Sequence, residues 1–200
     1  MAKKSSMITR PYEIRWHGRG GQGAITAAKI MAQAAYLKGY QGVTAAPSFG
    51  AERRGAPVSA STRISPQPVM VMSQVEKPDV VVVLDQTLLE DQDTTSGLGR
   101  EGWLVVNSRQ SPEELKVNGD FNIATADASS VCRELGLIVA GLIVVNTAIL
   151  GAFVHATEIV DIASIEKAIR ERFSDNAVDI NLAAITKTYE ITELGESANE

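Results

Sequence analysis

Residues 12–39 read YEIRWHGRGGQGAITAAKIMAQAAYLKG, and this stretch decides the fold class. Polar and apolar side chains alternate from Tyr12 to His17, as they do in a half-buried β-strand, and a cluster of glycines follows. The alanine-rich segment Ala24–Leu37 predicts a helix, and Gly39 is available for a left-handed cap at its end. A strand that leads through a glycine turn into a helix is typical of α/β proteins.

The remaining pattern predicts one α/β domain with a mainly parallel sheet flanked by helices. Val80–Leu84 is a continuous apolar run, typical of a strand that is covered on both faces of a parallel sheet. Further strands are predicted at Val43–Ala46, Val58–Ile64, Val69–Met72, Trp103–Val106 and Phe121–Ala124. Further helices are predicted at Ala126–Leu135, Val144–His155, Ile162–Phe173 and Ala177–Leu194, with Asp161 as an N-cap. We expect the domain to span residues 12–194, between a flexible N-terminal tail (1–11) and a C-terminal tail (195–200).

The composition predicts a cytoplasmic protein that binds no nucleic acid and has no membrane span. The net charge is −5 and the basic residues form no stripe, which argues against general nucleic-acid binding. Leu137–Val154 carries no formal charge, but two glycines, Asn146 and Thr147 interrupt it. We therefore expect this segment to be a loop or strand that leads into a helix buried in the core or at a subunit interface. Met1–Arg10 is polar and lacks the apolar core of a signal peptide.

The chain contains one cysteine, Cys132. A single thiol cannot form an internal disulfide, and alone it cannot hold an iron–sulfur cluster or a structural zinc ion. The simplest role for Cys132 is that of a small buried apolar side chain. If the protein belongs to a redox complex, we expect other chains to carry the electrons.

The glycine loop, defined as residues 18–23, is the first candidate site. Gly18, Gly20 and Gly23 form a G-x-G-x-x-G pattern between the predicted strand and helix, where backbone N–H groups can hold a phosphate. A dinucleotide site also needs an acidic residue at the end of the second strand, and Val43–Ala46 has none. A phosphate-bearing ligand other than NAD and a tight turn required for packing or partner contact both remain open.

The second loop, residues 48–55, concentrates an aromatic, an acidic and two basic side chains between glycines. Arg53 and Arg54 are adjacent and point in different directions on any regular backbone, so we expect at most one to serve a given ligand directly. The other could pair with Glu52 or with a neighbouring chain. A recognition loop and a solvated charged loop anchored by Phe49 are both consistent with this composition.

The two loops together resemble those of the gamma subunit of 2-oxoacid:acceptor oxidoreductases, of which pyruvate:ferredoxin oxidoreductase is the type member. The resemblance is carried by EIRWHGRGGQG at 13–23 and PSFGAERRGAPV at 47–58, and it extends through 78–85, 105–107 and, more loosely, 146–154. It implies a Rossmann-like α/β domain that packs against catalytic subunits and helps to bind coenzyme A. It also implies oxidative decarboxylation of a 2-oxoacid to an acyl-CoA, on thiamine diphosphate with Mg and [4Fe-4S] clusters held by the alpha, beta and ferredoxin-like delta subunits.

Carried over by position, the resemblance gives a set of candidate ligand-binding residues and no catalytic or metal-binding residue in this chain. Backbone donors of the first loop would hold a pyrophosphate, and an arginine of the second would neutralise a phosphate. The set comprises Gly18, Arg19, Gly20, Gly21, Gln22 and Gly23 in the glycine loop and Ser48, Phe49, Gly50, Glu52, Arg53, Arg54 and Gly55 in the second loop.

Several alternatives stay open at this level. The chain could be a purely structural subunit of such a complex, or an independent NAD(P)-binding oxidoreductase. Pyruvate is the default substrate, but 2-oxoglutarate, branched-chain and aromatic 2-oxoacids such as phenylglyoxylate or indolepyruvate are also served by related complexes. The electron acceptor could be ferredoxin, or NAD through a flavin subunit. His17 and His155 are expected to be hydrogen-bonded structural residues.

Overall fold

The computed structural model describes residues 10–48, 54–69, 73–139 and 141–196. These residues form the strands β1 (Tyr12–Arg19), β2 (Gly42–Pro47), β3 (Pro57–Ser65), β4 (Val80–Val83), β5 (Trp103–Asn107), β6 (Asn122–Ala126), β7 (Ile138–Val139), β8 (Leu142–Ile143) and β9 (Glu193–Glu196). They also form the helices α1 (Ala24–Lys38), α2 (Ala128–Glu134), α3 (Ile149–Thr157), α4 (Ile162–Arg172) and α5 (Asp175–Glu190). Two short 3-10 helices, Gln86–Glu90 and Gln92–Thr94, follow β4.

Seven strands form one mixed sheet in the order β2-β3-β1-β4-β5-β6-β9. The four strands β1, β4, β5 and β6 are neighbours and run parallel, whereas β3 and β9 run antiparallel to the strands beside them. Since β2 is in turn antiparallel to β3, it points in the same direction as β1. The predicted α/β class with a mainly parallel sheet is therefore confirmed.

The sheet is covered on both faces, as the uninterrupted valines of β4 predict. Val80 and Val82 belong to a large core to which all five helices contribute, and Val81 and Val83 belong to a smaller core on the other face. The smaller core is completed by apolar side chains from the first 3-10 helix and from residues 115–121. All four valines are fully buried because each face of this central strand has its own covering layer.

Trp16 of β1 links the sheet to helices α1 and α3. Trp16 is fully buried against Phe153 of α3, with ring centroids 5.8 Å apart. Its indole N–H donates to the Thr62 hydroxyl at 3.0 Å, and that hydroxyl donates to the carbonyl of Ala28 in α1 at 3.0 Å. The alanines of α1 allow this close approach of helix and sheet, because they add little bulk between the two layers.

Helix ends agree with their predicted caps at two positions. Gly39 adopts φ 110° after α1, and its N–H donates to the carbonyl of Tyr36 at 2.9 Å. Asp161 precedes α4, and its carboxylate accepts a hydrogen bond from the N–H of Ser164 at 2.8 Å. Both helices therefore stop or start where a side chain or a left-handed residue satisfies their terminal groups.

The predicted helix Val144–His155 is wrong at its start. Strands β7 and β8 pair in antiparallel fashion before this helix, and α3 begins only at Ile149. The described residues of the uncharged run Leu137–Val154 therefore include two short paired strands and the start of α3, in which Ile149–Val154 are buried. No helix among the described residues is long and apolar enough to cross a membrane.

The predicted helix Ala177–Leu194 is wrong at its end. Helix α5 stops at Glu190, and the chain returns as β9, in which Leu194 lies opposite Ala124 of β6. Strand β9 continues through residues 195 and 196, which were predicted to belong to the C-terminal tail. The predicted strand Val69–Met72 falls mostly on 70–72, which lie outside the described residues.

Candidate functional site

The glycine loop lies at the carboxyl edge of the parallel strands, between β1 and α1. Gly21 and Gly23 adopt φ 101° and 85°, in the left-handed region that non-glycine residues rarely occupy. Gly23 occupies the N-cap position of α1, and no side chain among the described residues caps this helix. The N–H groups of the first turn of α1 therefore have neither an intrahelical acceptor nor a capping side chain, which is the arrangement that binds anions in phosphate-binding loops.

Each of three glycines also has a packing reason within the chain itself. A Cβ at Gly18 would lie 3.2 Å from the Cβ of Ala24, and one at Gly21 would lie 2.6 Å from Leu142 of β8. A Cβ at Gly23 would lie 2.6 Å from the Nδ2 atom of Asn146. The tight-turn interpretation thus accounts for these glycines without a ligand.

The described part of the second loop is joined to the glycine loop by backbone hydrogen bonds. The N–H of Gly20 donates to the carbonyl of Ala56 at 2.8 Å, and the N–H of Gly55 donates to the carbonyl of Gly20 at 3.0 Å. Gly20 and Arg54 thereby form a parallel β-bridge, which places Arg54 on the exposed surface beside the loop. The structure brings together segments that are more than 30 residues apart, because β1 and β3 are paired neighbours.

Only some of the predicted site residues of the second loop lie within the described part of the chain. Ser48 is exposed, and its N–H donates to the carbonyl of Ser59 at 2.9 Å. Phe49, Gly50, Glu52 and Arg53 lie outside the described residues, so their predicted roles remain predictions.

Arg19 and Gln22 hold the glycine loop against the end of β4. The Nε atom of Arg19 donates to the Asp85 carboxylate at 3.1 Å, and the Nε2 atom of Gln22 donates to the same carboxylate at 3.2 Å. The Oε1 atom of Gln22 accepts from the N–H of Arg19 at 2.7 Å, which closes the loop on itself. Arg19 and Gln22, which were both predicted as ligand residues, therefore use their side chains to fix the glycine loop to Asp85.

Asp85 is a central residue of this support and was not among the predicted site residues. Burial raises its pKa, but hydrogen bonds from Thr87 and Gln22 together with the charge of Arg19 outweigh burial and leave the pKa below its ordinary value. The carboxylate therefore stays ionised at neutral pH. Its sequence signal is a polar residue directly after a buried strand, at the edge where α/β sheets place their sites.

His17 lines a cleft of about 460 Å³ on the sheet face opposite α1. The cleft walls include Arg19, Ser59, Thr87 and the acidic residues Glu90, Asp91 and Asp93. Burial, helped by the charge of Arg15, lowers the pKa of His17 to about 4, so the imidazole is neutral at pH 7. Its Nε2 atom is buried and has no hydrogen-bond partner among the described residues.

The Cys132 thiol is buried in the large core, where burial raises its pKa to about 12, and it donates to the carbonyl of Val144. Within the described ranges, no three His, Cys, Asp or Glu side chains come together as metal ligands.

The order of the strands differs from that of a dinucleotide-binding fold. The antiparallel strand β3 lies between β1 and β2, so β2 is not the neighbour of β1. No residue of β2 is acidic. Strand β2 therefore supplies no carboxylate of the kind that holds the ribose of NAD at the end of the second strand of a dinucleotide-binding fold.

The family model described as pyruvate ferredoxin/flavodoxin oxidoreductase matches residues 13–191 of the chain. The chain belongs to this family. It is 48% identical over 187 residues to the pyruvate/ketoisovalerate oxidoreductases common subunit gamma of Pyrococcus furiosus, covering 92% of this chain and 98% of that protein. It is 46% identical over 186 residues to the pyruvate synthase subunit PorC of Methanosarcina barkeri, covering 93% and 99%. The predicted resemblance to the gamma subunit is confirmed.

Solved structures share the fold of this chain. The pyruvate oxidoreductase subunit PORC from Thermotoga maritima superimposes with a TM-score of 0.80 at 36% identity, covering 94% of this chain and 99% of that chain. The 2-oxoglutarate:ferredoxin oxidoreductase from Magnetococcus marinus, solved with 2-oxoglutarate, coenzyme A and succinyl-CoA bound, shares the fold with a TM-score of 0.69 at 18% identity. This chain matches 31% of that larger chain. The protein is thus a gamma-type subunit of an oxidoreductase complex.

Proposed function

We propose that this subunit helps to bind coenzyme A in a complex that converts a 2-oxoacid to an acyl-CoA by oxidative decarboxylation. The observation that carries the proposal is the uncapped N-terminus of α1, whose N-cap Gly23 follows in the same loop as Gly20, the bridge partner of Arg54. An uncapped helix N-terminus offers N–H donors and a positive dipole end, and a nearby arginine adds a bidentate cation. Together they match the phosphate groups of coenzyme A.

The chain would contribute binding and orientation rather than bond-making groups. Holding coenzyme A by its phosphates restricts the position of its thiol relative to the acyl group on the catalytic subunits, which turns a bimolecular encounter into a positioned one. Thiamine diphosphate, Mg and the [4Fe-4S] clusters would be held by the alpha, beta and delta subunits. With its one buried cysteine, this chain could not hold a cluster alone.

Pyruvate is the 2-oxoacid that we propose first, since relatives of 45–48% identity are named for pyruvate and ketoisovalerate. Branched-chain acids follow from the same names, and 2-oxoglutarate or aromatic 2-oxoacids remain alternatives because the acid would be recognised largely by other subunits. Ferredoxin, or a flavin subunit that passes electrons to NAD, would receive the electrons. Purifying the complex and measuring coenzyme-A-dependent dye reduction with a panel of 2-oxoacids would identify the substrate.

The coenzyme A role is tested by Arg54→Ala and Arg53→Ala in the assembled complex. Losing a charge-assisted phosphate contact raises the KM for coenzyme A by about tenfold to a hundredfold and leaves the KM for the 2-oxoacid unchanged. Arg100→Ala is the matched control, because the Arg100 side chain is 81% exposed and pairs only distantly with Asp120. An unchanged KM for coenzyme A in both loop variants would contradict the proposal.

A purely structural subunit is the second candidate, favoured by the packing of Gly18, Gly21 and Gly23 against the chain itself. The two candidates differ in hydrogen exchange measured on the complex. Coenzyme A should slow exchange of the amides of Gly21, Gly23 and the first turn of α1 if they bind its phosphates. A structural subunit would show the same exchange rates with and without coenzyme A.

A further inference from the structure

The cleft beside His17 opens on the sheet face opposite α1, away from the helix N-terminus that the coenzyme A proposal uses. Its volume of about 460 Å³ lies in the range of sites that hold a ligand or inserted side chains. Pro57, Val58 and Leu88 supply apolar walls, and Ser59 adds a hydroxyl group. The cleft can therefore hold a side chain that is apolar along its length and polar at its end.

The remaining walls of the cleft carry an excess of negative charge. Glu90, Asp91 and Asp93 line the cleft and are exposed. None of these three carboxylates forms an ion pair with a residue in the described part of the chain. Arg19 also lines the cleft, but its charge is matched by the carboxylate of Asp85 at 3.1 Å. The cleft is therefore suited to a positively charged group.

His17 adds an uncharged hydrogen-bonding group to the same walls. Its ring makes no hydrogen bond with any described residue, and Nε2 is enclosed whereas Nδ1 is not among the enclosed atoms. Burial and the charge of Arg15 lower the pKa of His17 to about 4, so the ring is neutral at pH 7 and does not repel a cation. When Nε2 carries the proton, the open Nδ1 atom is an acceptor beside the charge of Asp91.

Lysine and arginine side chains combine the properties that this cleft matches. Their methylene stems pack against apolar walls while the charged head stays among polar groups. A bound metal ion matches less well, because no three His, Cys, Asp or Glu side chains come together as metal ligands within the ranges that the structure describes. Since the chain is a subunit of a complex, another subunit can supply a basic side chain at this surface.

We propose that the cleft beside His17 receives a lysine or arginine side chain of a catalytic subunit, whose charged head lies among Glu90, Asp91 and Asp93. The sheet face opposite α1 is then part of the interface through which this subunit joins the complex. Charged contacts of this kind determine the register and the choice of partner at an interface. The inference concerns assembly and does not depend on the coenzyme A role.

Carboxylate labelling of the purified complex tests whether the cleft is covered. A carbodiimide with glycine ethyl ester modifies accessible carboxylates, and mass spectrometry gives the rate of modification at each residue. Glu101 and Asp179 are internal references, because both are exposed in the chain and lie outside the cleft. Glu90, Asp91 and Asp93 should react several times more slowly than these references. Equal rates at the two sets of residues would overturn the proposal.

The triple variant Glu90→Gln/Asp91→Asn/Asp93→Asn tests whether the covering group is a cation. It removes three charges and keeps the side-chain shapes, including the oxygen of residue 91 that accepts from the N–H of residue 93 at 3.0 Å. In about 0.15 M salt, the dissociation constant of this subunit, measured by dilution of the assembled complex, should rise by about tenfold. The difference from wild type should shrink in about 1 M salt, because salt screens ion pairs.

The matched control is Glu101→Gln/Asp179→Asn/Glu190→Gln, which makes the same change in net charge at exposed residues outside the cleft. It should leave the dissociation constant unchanged. Glu90→Gln alone decides the question if the triple variant does not fold, because the Glu90 side chain makes no hydrogen bond with a described residue, and it should raise the dissociation constant severalfold. A covered cleft with an unchanged dissociation constant in the variants that fold would show that the covering group is not a cation, which would also overturn the inference.

Discussion

His17 shows how one buried residue can limit the pH range of the fold. The imidazole stands on the β1 face that carries Arg15, and its Nε2 atom is enclosed without a partner among the described residues. Burial and the charge of Arg15 oppose protonation, and the charge of Asp91 offsets them only in part. Charging His17 is therefore harder in the folded chain than in the unfolded chain.

The resulting prediction concerns stability in mild acid. The pKa of His17 falls from its ordinary 6.5 to about 4 on folding, so the unfolded chain binds more protons between these pH values. The free energy of unfolding should therefore be fully retained above about pH 6.5 and lose about 3 kcal/mol as the pH falls to about 4. His17→Gln should remove this part of the pH dependence, as measured by urea denaturation at a series of pH values. His155→Gln serves as the control, and equal pH profiles for wild type and His17→Gln would contradict the prediction.

Helix α3 illustrates at the scale of an element how the helical layer is held together. Gly151 lies inside α3 and is buried where this helix crosses α5. A Cβ at this position would lie 2.7 Å from the backbone N of Tyr189 and inside contact distance of the carbonyl of Ile185. Both neighbours are backbone atoms, so neither can move aside by changing a rotamer.

Gly151→Ala should therefore destabilise the protein, although alanine is the better helix former. An exposed glycine-to-alanine change in a helix stabilises by up to about 1 kcal/mol, but here overpacking should cost about 2 kcal/mol or more. Chemical denaturation measures the difference. Gly99→Ala is the control, because a Cβ there meets no atom within 4 Å. A Gly151→Ala variant as stable as the wild type would show that α3 and α5 can separate freely.

At the scale of the whole molecule, the order of strands determines which ligands the glycine loop can serve. The antiparallel β3 beside β1 brings residues 54–56 to the loop and displaces β2, which would otherwise be the second strand of a dinucleotide fold. We expect that the purified chain does not bind NADH or NADPH. Titration monitored by nucleotide fluorescence should show no change beyond dilution, with a dehydrogenase of known affinity as the positive control. Saturable binding would contradict the topological argument.

Local sequence patterns predicted most of the elements and the position of the glycine loop. The alternation in β1, the alanines of α1 and the valines of β4 each report a local preference or a burial pattern, and such patterns are readable without knowledge of the neighbours. The end of α5 could not be predicted from the local sequence, because β9 is a four-residue edge strand that forms only through its pairing with β6. The pairing of β7 with β8 before α3 was missed for a similar reason, since these two strands of two residues each support one another.

For the candidate site, the sequence by itself determined the strand–glycine–helix unit, the family resemblance and the chemical character of the two loops. Those features depend on residue types and spacings along the chain. Only the tertiary structure decided that Asp85 supports the loop, that Arg54 is bridged to Gly20 and that Asn146 packs over Gly23. The physical reason is that these contacts join segments separated by about 30 to 120 residues, and pairing and packing energies between distant segments leave no periodic signal in the sequence. The glycine loop is thus encoded locally, whereas its surroundings are produced by the fold.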